Sequence, residues 1–312
     1  MIATKVPLVV PIISDDMPVF LNNYKYLIEN ISIGKIFLIG PMEIKDSIPE
    51  DSLLEYIDEN DIVDISSLKT IFKSLNEDNK SLKRFGWYVQ QFIKMKFATY
   101  VNEPYYLLWD SDTIPTKPVR MFGNEGKPYF DCKTEYHKPY FDTIKKLLPG
   151  CDKIIRRSFI SEHMLIKSEF MRELICMIES NSSVEGKDFM EKILNSISSE
   201  DLGKNGFSEF ETYGTFVETY HNGAYEKRIW HSLRQGSFFF NIREKGINRR
   251  QLAWLSKHYD AISFEKNHKL TYFASMMDSE WLYATSPKIL HKLALIVKNK
   301  NRILSKFKNK HK

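Results

Sequence analysis

Apolar positions along the chain alternate between compact runs and helical spacing. The runs over 5–13, 35–40 and 57–65 have the length and content of buried strands, while Phe20, Tyr24, Leu27, Ile28 and Ile31 recur at the spacing of a helix over 17–31. Strand, helix, strand, helix from the first residues predicts an α/β fold, with a mostly parallel central sheet and helices on both faces. Sheets of that kind bind ligands outside the carboxyl ends of their strands. Ile13, Ser14 and Asp15, after the first strand, would lie there, and so would 110–113. No GxGxxG follows the first strand and no P-loop occurs anywhere, which argues against a dinucleotide fold and an NTPase.

The segment 84–99 reads as a helix with two unlike faces. At about 100° per residue, Arg84, Trp87, Tyr88, Gln91 and Lys94 share one face, and Phe85, Val89, Phe92 and Ile93 share the other. The second face is ordinary core. The first mixes cations, an amide and aromatics, and suits either the wall of a phosphate- and ring-binding site or a packed face with snorkelling cations.

The strand expected over 105–109 ends in Asp110-Ser111-Asp112, and Pro115 and Pro118 then oppose a helix or central strand. Two carboxylates one residue apart at a strand tip can hold a divalent cation in an open site, and such a cation can take the charge of a diphosphate. Further on, Glu135, Tyr136 and His137 form a polar loop able to line an acceptor site. A strand over 158–166 carries Glu162 and His163 in its middle, where polar groups must be satisfied or used. Glu209 and Glu211 stand among aromatics at an expected helix start, a setting that raises a carboxyl pKa toward that of a general base or simply favours the helix N-terminus. His231 could supply a third metal ligand beside Asp110 or Asp112, ahead of an apolar strand expected over 237–241. Two helices are expected within 168–199.

At 312 residues and 43% apolar, the chain can bury one large domain or one and a half. No run approaches the roughly 18 apolar residues of a membrane-crossing helix, and the prolines at 7 and 11 make the N-terminal run a first strand rather than a leader. Cys132, Cys151 and Cys176 are odd in number and lack metal spacing, so a reducing cytoplasm is expected. The net charge of +5 misleads: residues 288–312 hold nine Lys and Arg and no acid, which leaves a mildly acidic body. That argues against a nucleic-acid partner and for one local anionic contact. Ile289, Leu290, Leu293, Ala294, Ile296 and Val297 begin an apolar half of a helix over 287–312, with most cations opposite. This is the pattern of a helix lying on an anionic membrane, and it predicts a cytoplasmic protein held peripherally at the inner face of the membrane through 288–312.

The series Arg84-Phe-Gly-Trp-Tyr-Val-Gln-Gln-Phe-Ile-Lys94, Trp109-Asp-Ser-Asp-Thr-Ile-Pro115, Lys133-Thr-Glu-Tyr-His-Lys-Pro139, Ser161-Glu-His-Met164 and Phe207-Ser-Glu-Phe-Glu-Thr-Tyr-Gly214 resembles bacterial GT-A-type glycosyltransferases of capsule and lipopolysaccharide gene clusters. More narrowly, it is similar to a poorly characterised family of polysaccharide transferases. The likeness spans roughly 5–240. It implies a GT-A fold over 1–245, with a nucleotide-sugar half over about 1–118, an acceptor half over about 119–245 and a helical region over 246–312. It also implies a nucleotide-sugar donor, expected to be UDP-linked, a glycan or lipid-linked glycan acceptor, and Mn²⁺ or Mg²⁺ at Asp110 and Asp112. On that reading the nucleoside sits near Ile13, Ser14 and Asp15. Arg84, Tyr88, Gln91, Lys94 and Ser111 serve the donor, Glu135, Tyr136, His137, Glu162 and His163 serve the acceptor, and Glu209 or Glu211 is the base of an inverting transfer, with Glu209 preferred. Two rivals are a haloacid-dehalogenase-like phosphatase built on Asp110 and Asp112, for which no later acidic pair is found, and a non-catalytic membrane-surface protein using only the basic tail.

Overall fold

A computed structural model describes residues 5–75, 79–240, 246–265 and 280–296. Its strands in chain order are β1 (Val6–Pro11), β2 (Ile33–Gly40), β3 (Leu54–Asp58), β4 (Tyr105–Trp109), β5 (Thr113–Pro115), β6 (Tyr129–Cys132), β7 (His163–Lys167), β8 (Glu226–Ile229), β9 (Ser232–Leu233) and β10 (Ala261–Ser263). The chain divides into two compact units. The first takes in residues up to 15, 32–111 and 120–230; the second takes in 16–31, 112–119 and the described residues from 231 onward. A single cut near 245 would therefore run through the second unit, which draws on three separate stretches.

The first unit is built on a five-stranded sheet in the order β3-β2-β1-β4-β7. β1, β2, β3 and β4 run parallel, and β7 closes the edge antiparallel to β4, with Trp109 opposite His163. Every residue of β1 is buried, on both faces of the pleat, which is how an inner strand covered from two sides reads. Val9, Ile39, Tyr106, Leu108 and Ile166 join the large core cluster on one face, together with Phe92, Phe97, Phe189 and Phe216. The covering helices include α5 (Phe85–Tyr100), α7 (Ser168–Ser180), α8 (Phe189–Ser196) and α10 (Glu209–Tyr220) when helices are numbered along the chain. Beside this sheet, β6 and β8 pair as a short parallel ribbon.

Three sequence expectations change in detail. The helix expected over 17–31 is two helices, α1 (Met17–Asn23) and α2 (Lys25–Asn30); the Asn23 amide donates to the Val19 carbonyl at 2.6 Å, a local bond that competes with the helical ladder. The third strand lies earlier than expected and stops at Asp58, whose carboxylate accepts from the Asn60 N–H at 2.8 Å and so starts the short helix α3 (Glu59–Ile62). The strand expected over 237–241 is a 3₁₀ turn, Gly236–Phe238, in the second unit. Phe238, Phe239 and Phe240 are all buried there.

The second unit carries the three-stranded sheet β5-β10-β9 and its own core of Tyr26, Ile114, Phe239, Trp254 and Ile262. The Tyr26 hydroxyl donates to the Ile247 carbonyl at 2.8 Å and ties α2 into that unit. Residues 287–296 are helical, with Leu290 and Ala294 buried in this core and Ile289, Leu293 and Ile296 exposed. The amphipathic tail expected over 287–312 lies outside the described residues from 297 on. Among the described residues no helix is long and apolar enough to cross a membrane, and the three cysteines are free.

Candidate active site

The carboxyl rim of the five-stranded sheet gathers most of the chemistry. β4 ends at Trp109, and the Asp110 N–H donates to the Glu162 carbonyl at 2.9 Å, which fixes the turn that follows. The Lys94 ammonium reaches Asp110 Oδ1 at 2.8 Å and Glu209 Oε1 at 2.9 Å, with the Phe210 ring 4.6 Å away. The Lys94 and Glu209 side chains are 7% and 6% exposed, while that of Asp110 is 38% exposed. Burial works against the charge of Lys94, yet the Asp110 and Glu209 carboxylates outweigh it and hold the ammonium well above its ordinary range. Glu209, expected as a base, is thus the inner counter-ion of a lysine.

Two other residues on the same face of α5 serve the same end. Gln91 Oε1 accepts from the Glu209 N–H at 3.0 Å, at the first turn of α10. The Tyr88 hydroxyl accepts from the Gly206 N–H at 3.2 Å and donates to the Asp201 carbonyl at 3.4 Å; burial pushes it up to about 12. Spaced three residues apart, Tyr88, Gln91 and Lys94 form a column that fastens 201–209 to α5. The Ser208 side chain completes the helix start by accepting from the Glu211 N–H. Arg84, one turn earlier, is exposed, its guanidinium 6.0 Å from the Trp87 ring centroid.

The opposite face of α5, expected to be plain core, borders a cavity of about 170 Å³. Phe85, Val89 and Ile93 line it, facing Pro11, Ile12 and Ile13 at the end of β1 and Ile39 and Pro41 around the end of β2. Gly40 is required between the last two. A Cβ there would stand 2.1 Å from the Ile12 carbonyl oxygen, a backbone atom, so only glycine lets β1 and β2 approach at the cavity floor. Ser14 Oγ donates to Glu43 at 3.2 Å on the exposed side.

Behind Asp110 lies a second polar cluster. Glu162 precedes β7 instead of standing inside a strand, and its φ of +60° is a left-handed conformation that a non-glycine residue adopts only when its surroundings enforce it. Its buried carboxylate accepts from Lys133 Nζ at 2.6 Å and Trp230 Nε1 at 3.1 Å. His163 is packed between Trp109 and Trp230, with ring centroids 4.7 and 4.4 Å away, and its nitrogens face Asp131 Oδ2 at 2.8 Å and the Ser161 carbonyl at 2.9 Å. Burial would raise the Asp131 carboxyl, but hydrogen bonds from Arg228 and His163 pull it below its usual value. Glu162 and His163, expected to touch an acceptor, are committed to these internal partners.

In the loop before α6 (Lys138–Leu147), His137 Nε2 pairs with the Asn205 carbonyl at 2.8 Å and Tyr136 is exposed. Glu135 stands 3.7 Å from Lys133. Glu211 points to Ser158, and burial pushes its carboxyl up; its Oε2 has no hydrogen-bond partner. Asp131, Lys133, Arg228 and Trp230 had no assigned role in the sequence reading. A basic residue two or three positions from a buried carboxylate on a short strand was the available signal.

In the second unit, the His231 N–H donates to Asp260 Oδ2 at 2.9 Å, its ring is largely exposed, and Asp260 also binds Lys117. Asp112 accepts from the Phe264 N–H through its carbonyl. Among the described residues no three His, Cys, Asp or Glu side chains gather as a metal cage. A divalent ion carried by one or two carboxylates and substrate phosphates needs no such cage. Asp110, half-open with one oxygen on Lys94, fits that lighter role.

These features define a mixed α/β protein whose mostly parallel sheet carries an acidic turn and an apolar cavity at its carboxyl rim. The chain belongs to a family of unknown function (DUF6492), whose family model matches residues 27–274. No curated protein matches it. Among solved structures it is similar to the apo form of mouse xyloside xylosyltransferase 1, at 9% identity and a TM-score of 0.45, over 86% of this chain and 99% of that one. It is also similar to the glycosyltransferase GlyE of Streptococcus pneumoniae TIGR4, at 14% identity and a TM-score of 0.35, over 95% of this chain and 64% of that one. A third is the bifunctional WbbM in its apo form, at 12% identity and a TM-score of 0.43, over 91% and 50%. At these scores the likeness assigns no activity to the chain.

Proposed function

We propose that the protein transfers a glycosyl group from a nucleoside-diphosphate sugar to a hydroxyl of a glycan or lipid-linked glycan. The observation that carries this reading is the double use of α5. One face walls a base-sized apolar cavity through Val89 and Ile93, and the next residue, Lys94, sets the Asp110 carboxylate at the tip of β4. A nucleoside end and a charge-handling end thus share one rigid helix, as a split between binding and chemistry requires.

In the reaction, the acceptor oxygen bonds to the anomeric carbon, the bond from that carbon to the phosphate oxygen breaks, and the acceptor proton passes to a base while the diphosphate departs with the electron pair. The departing charge needs a positive partner. Lys94 supplies a permanent one close by, and Mn²⁺ or Mg²⁺, if bound, would add Lewis-acid charge with Asp110 as a protein ligand. Glu209 holds Lys94 in place; inversion through Glu209 as base would require that ion pair to open. Glu211 keeps the raised carboxyl that a base needs, sealed against Ser158.

The acceptor chemistry adds a membrane contact. Ile289, Leu293 and Ile296, three and four residues apart, form an exposed apolar row beside Lys288 and Lys292, which suits the surface of an anionic bilayer bearing a lipid-linked acceptor. The test is release of nucleoside diphosphate from a panel of sugar nucleotides with Mn²⁺ and a glycan acceptor. Release with at least one donor supports the reading, and none with any donor removes it.

A further inference from the structure

The cavity at the ends of β1 and β2 is apolar except for two side chains, Glu59 at the start of α3 and Gln90 on α5. Their neighbours in sequence are occupied. Asp58 caps Asn60 and accepts from the Tyr56 hydroxyl, and Gln91 bonds to the backbone of Trp87 and Glu209. Glu59 and Gln90 differ: among the described residues neither side chain makes a hydrogen bond or an ion pair. Burial, then the nearby Asp58 and Glu43 carboxylates, push the Glu59 carboxyl up, so a group that donates a hydrogen bond to it would relieve an existing strain.

The remaining lining sets the size and shape of what can enter. Two prolines, five isoleucines, Val89 and Phe85 make walls without polar side chains. A volume of about 170 Å³ is below the roughly 300 Å³ at which pockets begin to enclose drug-sized ligands. One heterocyclic base fits that scale, with its sugar and phosphates outside.

We infer that Glu59 and Gln90 read the edge of the donor's nucleobase and select a base that carries a ring N–H beside a carbonyl, as uracil and guanine do. This rests on the nucleotide reading above and names which nucleotides the cavity takes. The ring N–H donates to the Glu59 carboxylate, which offers acceptors only, while the Gln90 amide N–H donates to the adjacent carbonyl. Cytosine and adenine, seated the same way by their diphosphate, turn a ring-nitrogen lone pair toward that carboxylate. A site built to receive a particular hydrogen bond rejects the analogue lacking it far more strongly than a purely apolar pocket does.

The experiment is calorimetric titration of the full chain with UDP, CDP, GDP and ADP, repeated with Glu59→Gln and Gly86→Trp. Gly86 lines the cavity and has open space where a Cβ would stand, so a bulky side chain there obstructs the cavity without a backbone clash. The expected result is that UDP binds at least tenfold tighter than CDP, or GDP at least tenfold tighter than ADP, which also separates a uracil site from a guanine site. Glu59→Gln, whose amide can both donate and accept, narrows that gap to about twofold, and Gly86→Trp weakens every nucleotide tenfold or more. Binding with no such preference, or a preference that Glu59→Gln leaves unchanged, overturns the base assignment and leaves the nucleotide reading standing. So does tight binding that Gly86→Trp does not disturb, which would move the base out of this cavity. No binding of any of the four by the parent chain overturns both.

Discussion

Lys94 and Asp110 meet at 2.8 Å across the carboxyl end of β4, and the same ammonium reaches Glu209, 115 residues further along the chain. One buried cation therefore orders two carboxylates from different parts of the first unit, one facing inward and one half-open. Much of the proposed chemistry follows from that asymmetry.

Removing the cation should show how closely the cluster is balanced. Lys94→Met leaves Glu209 buried without its counter-charge, a loss of roughly 3–5 kcal/mol for breaking one partner out of a buried pair. Lys94→Met combined with Glu209→Gln should recover a large part of it, because no charge is then stranded. Denaturant unfolding of the two single variants and the double variant measures the coupling. Additive losses would mean that the two residues do not act as a pair.

Glu211 should give stability a pH dependence of definite sign. Its carboxyl ordinarily titrates near 4.5 and burial raises it in the folded protein, so between those values the folded state holds the proton and the unfolded state does not. The favourable contribution is complete below 4.5 and is lost as pH climbs through the raised value. Glu211→Gln should flatten that fall while leaving the acid limb unchanged, which thermal melts from pH 4 to pH 8 would show. An unaltered profile would place the proton elsewhere.

At Glu162 the backbone, and not only the carboxylate, should matter. Glu162→Gly removes the left-handed penalty of roughly 1 kcal/mol but also the carboxylate that accepts from Lys133 and Trp230 Nε1, and a net loss of about 2–3 kcal/mol is expected because both bonds are lost in a buried setting. Comparing Glu162→Gly with Glu162→Ala, which keeps the penalty, separates the two contributions in unfolding midpoints. Equal midpoints for the two variants would show that the backbone carries no strain.

Gly40→Ala should disturb the cavity floor from the sheet side. The added methyl meets the Ile12 carbonyl at a distance no relaxed structure tolerates, and the strands must part. A loss of about 1–3 kcal/mol is expected, together with weaker binding of nucleoside diphosphates. Unchanged melting and binding would show that β1 and β2 accommodate the group freely.

The parallel order of the sheet, α5 and the acidic turn after β4 are legible in the chain because local spacing decides them. A run such as 105–109 has no alternative as a buried strand, and the period over 85–100 leaves no choice but a helix. What stayed hidden depends on partners far apart. The polar face of α5 reads as a ligand wall, yet Tyr88, Gln91 and Lys94 spend their groups on 201–209, a pairing that no spacing within the helix reveals. The face that reads as core, through Val89 and Ile93, borders the cavity, which Pro11 and Pro41 also line, a neighbourhood that no spacing within the helix reveals. Glu162 looks like a polar residue inside a strand, since nothing in the sequence signals a positive φ. Three successive phenylalanines at 238–240 read as a strand, yet Gly236–Phe238 folds as a 3₁₀ turn.

The most direct test is the rate of nucleoside diphosphate release from the best sugar nucleotide, with Mn²⁺ and acceptor, for the parent chain and for Asp110→Asn. The substitution keeps shape and hydrogen bonding and removes the charge that Lys94 and a divalent ion would share. The account predicts a fall of at least a hundredfold, about 2.7 kcal/mol of transition-state stabilisation, with the melting temperature little changed. Release at the parental rate from a folded Asp110→Asn protein would contradict it.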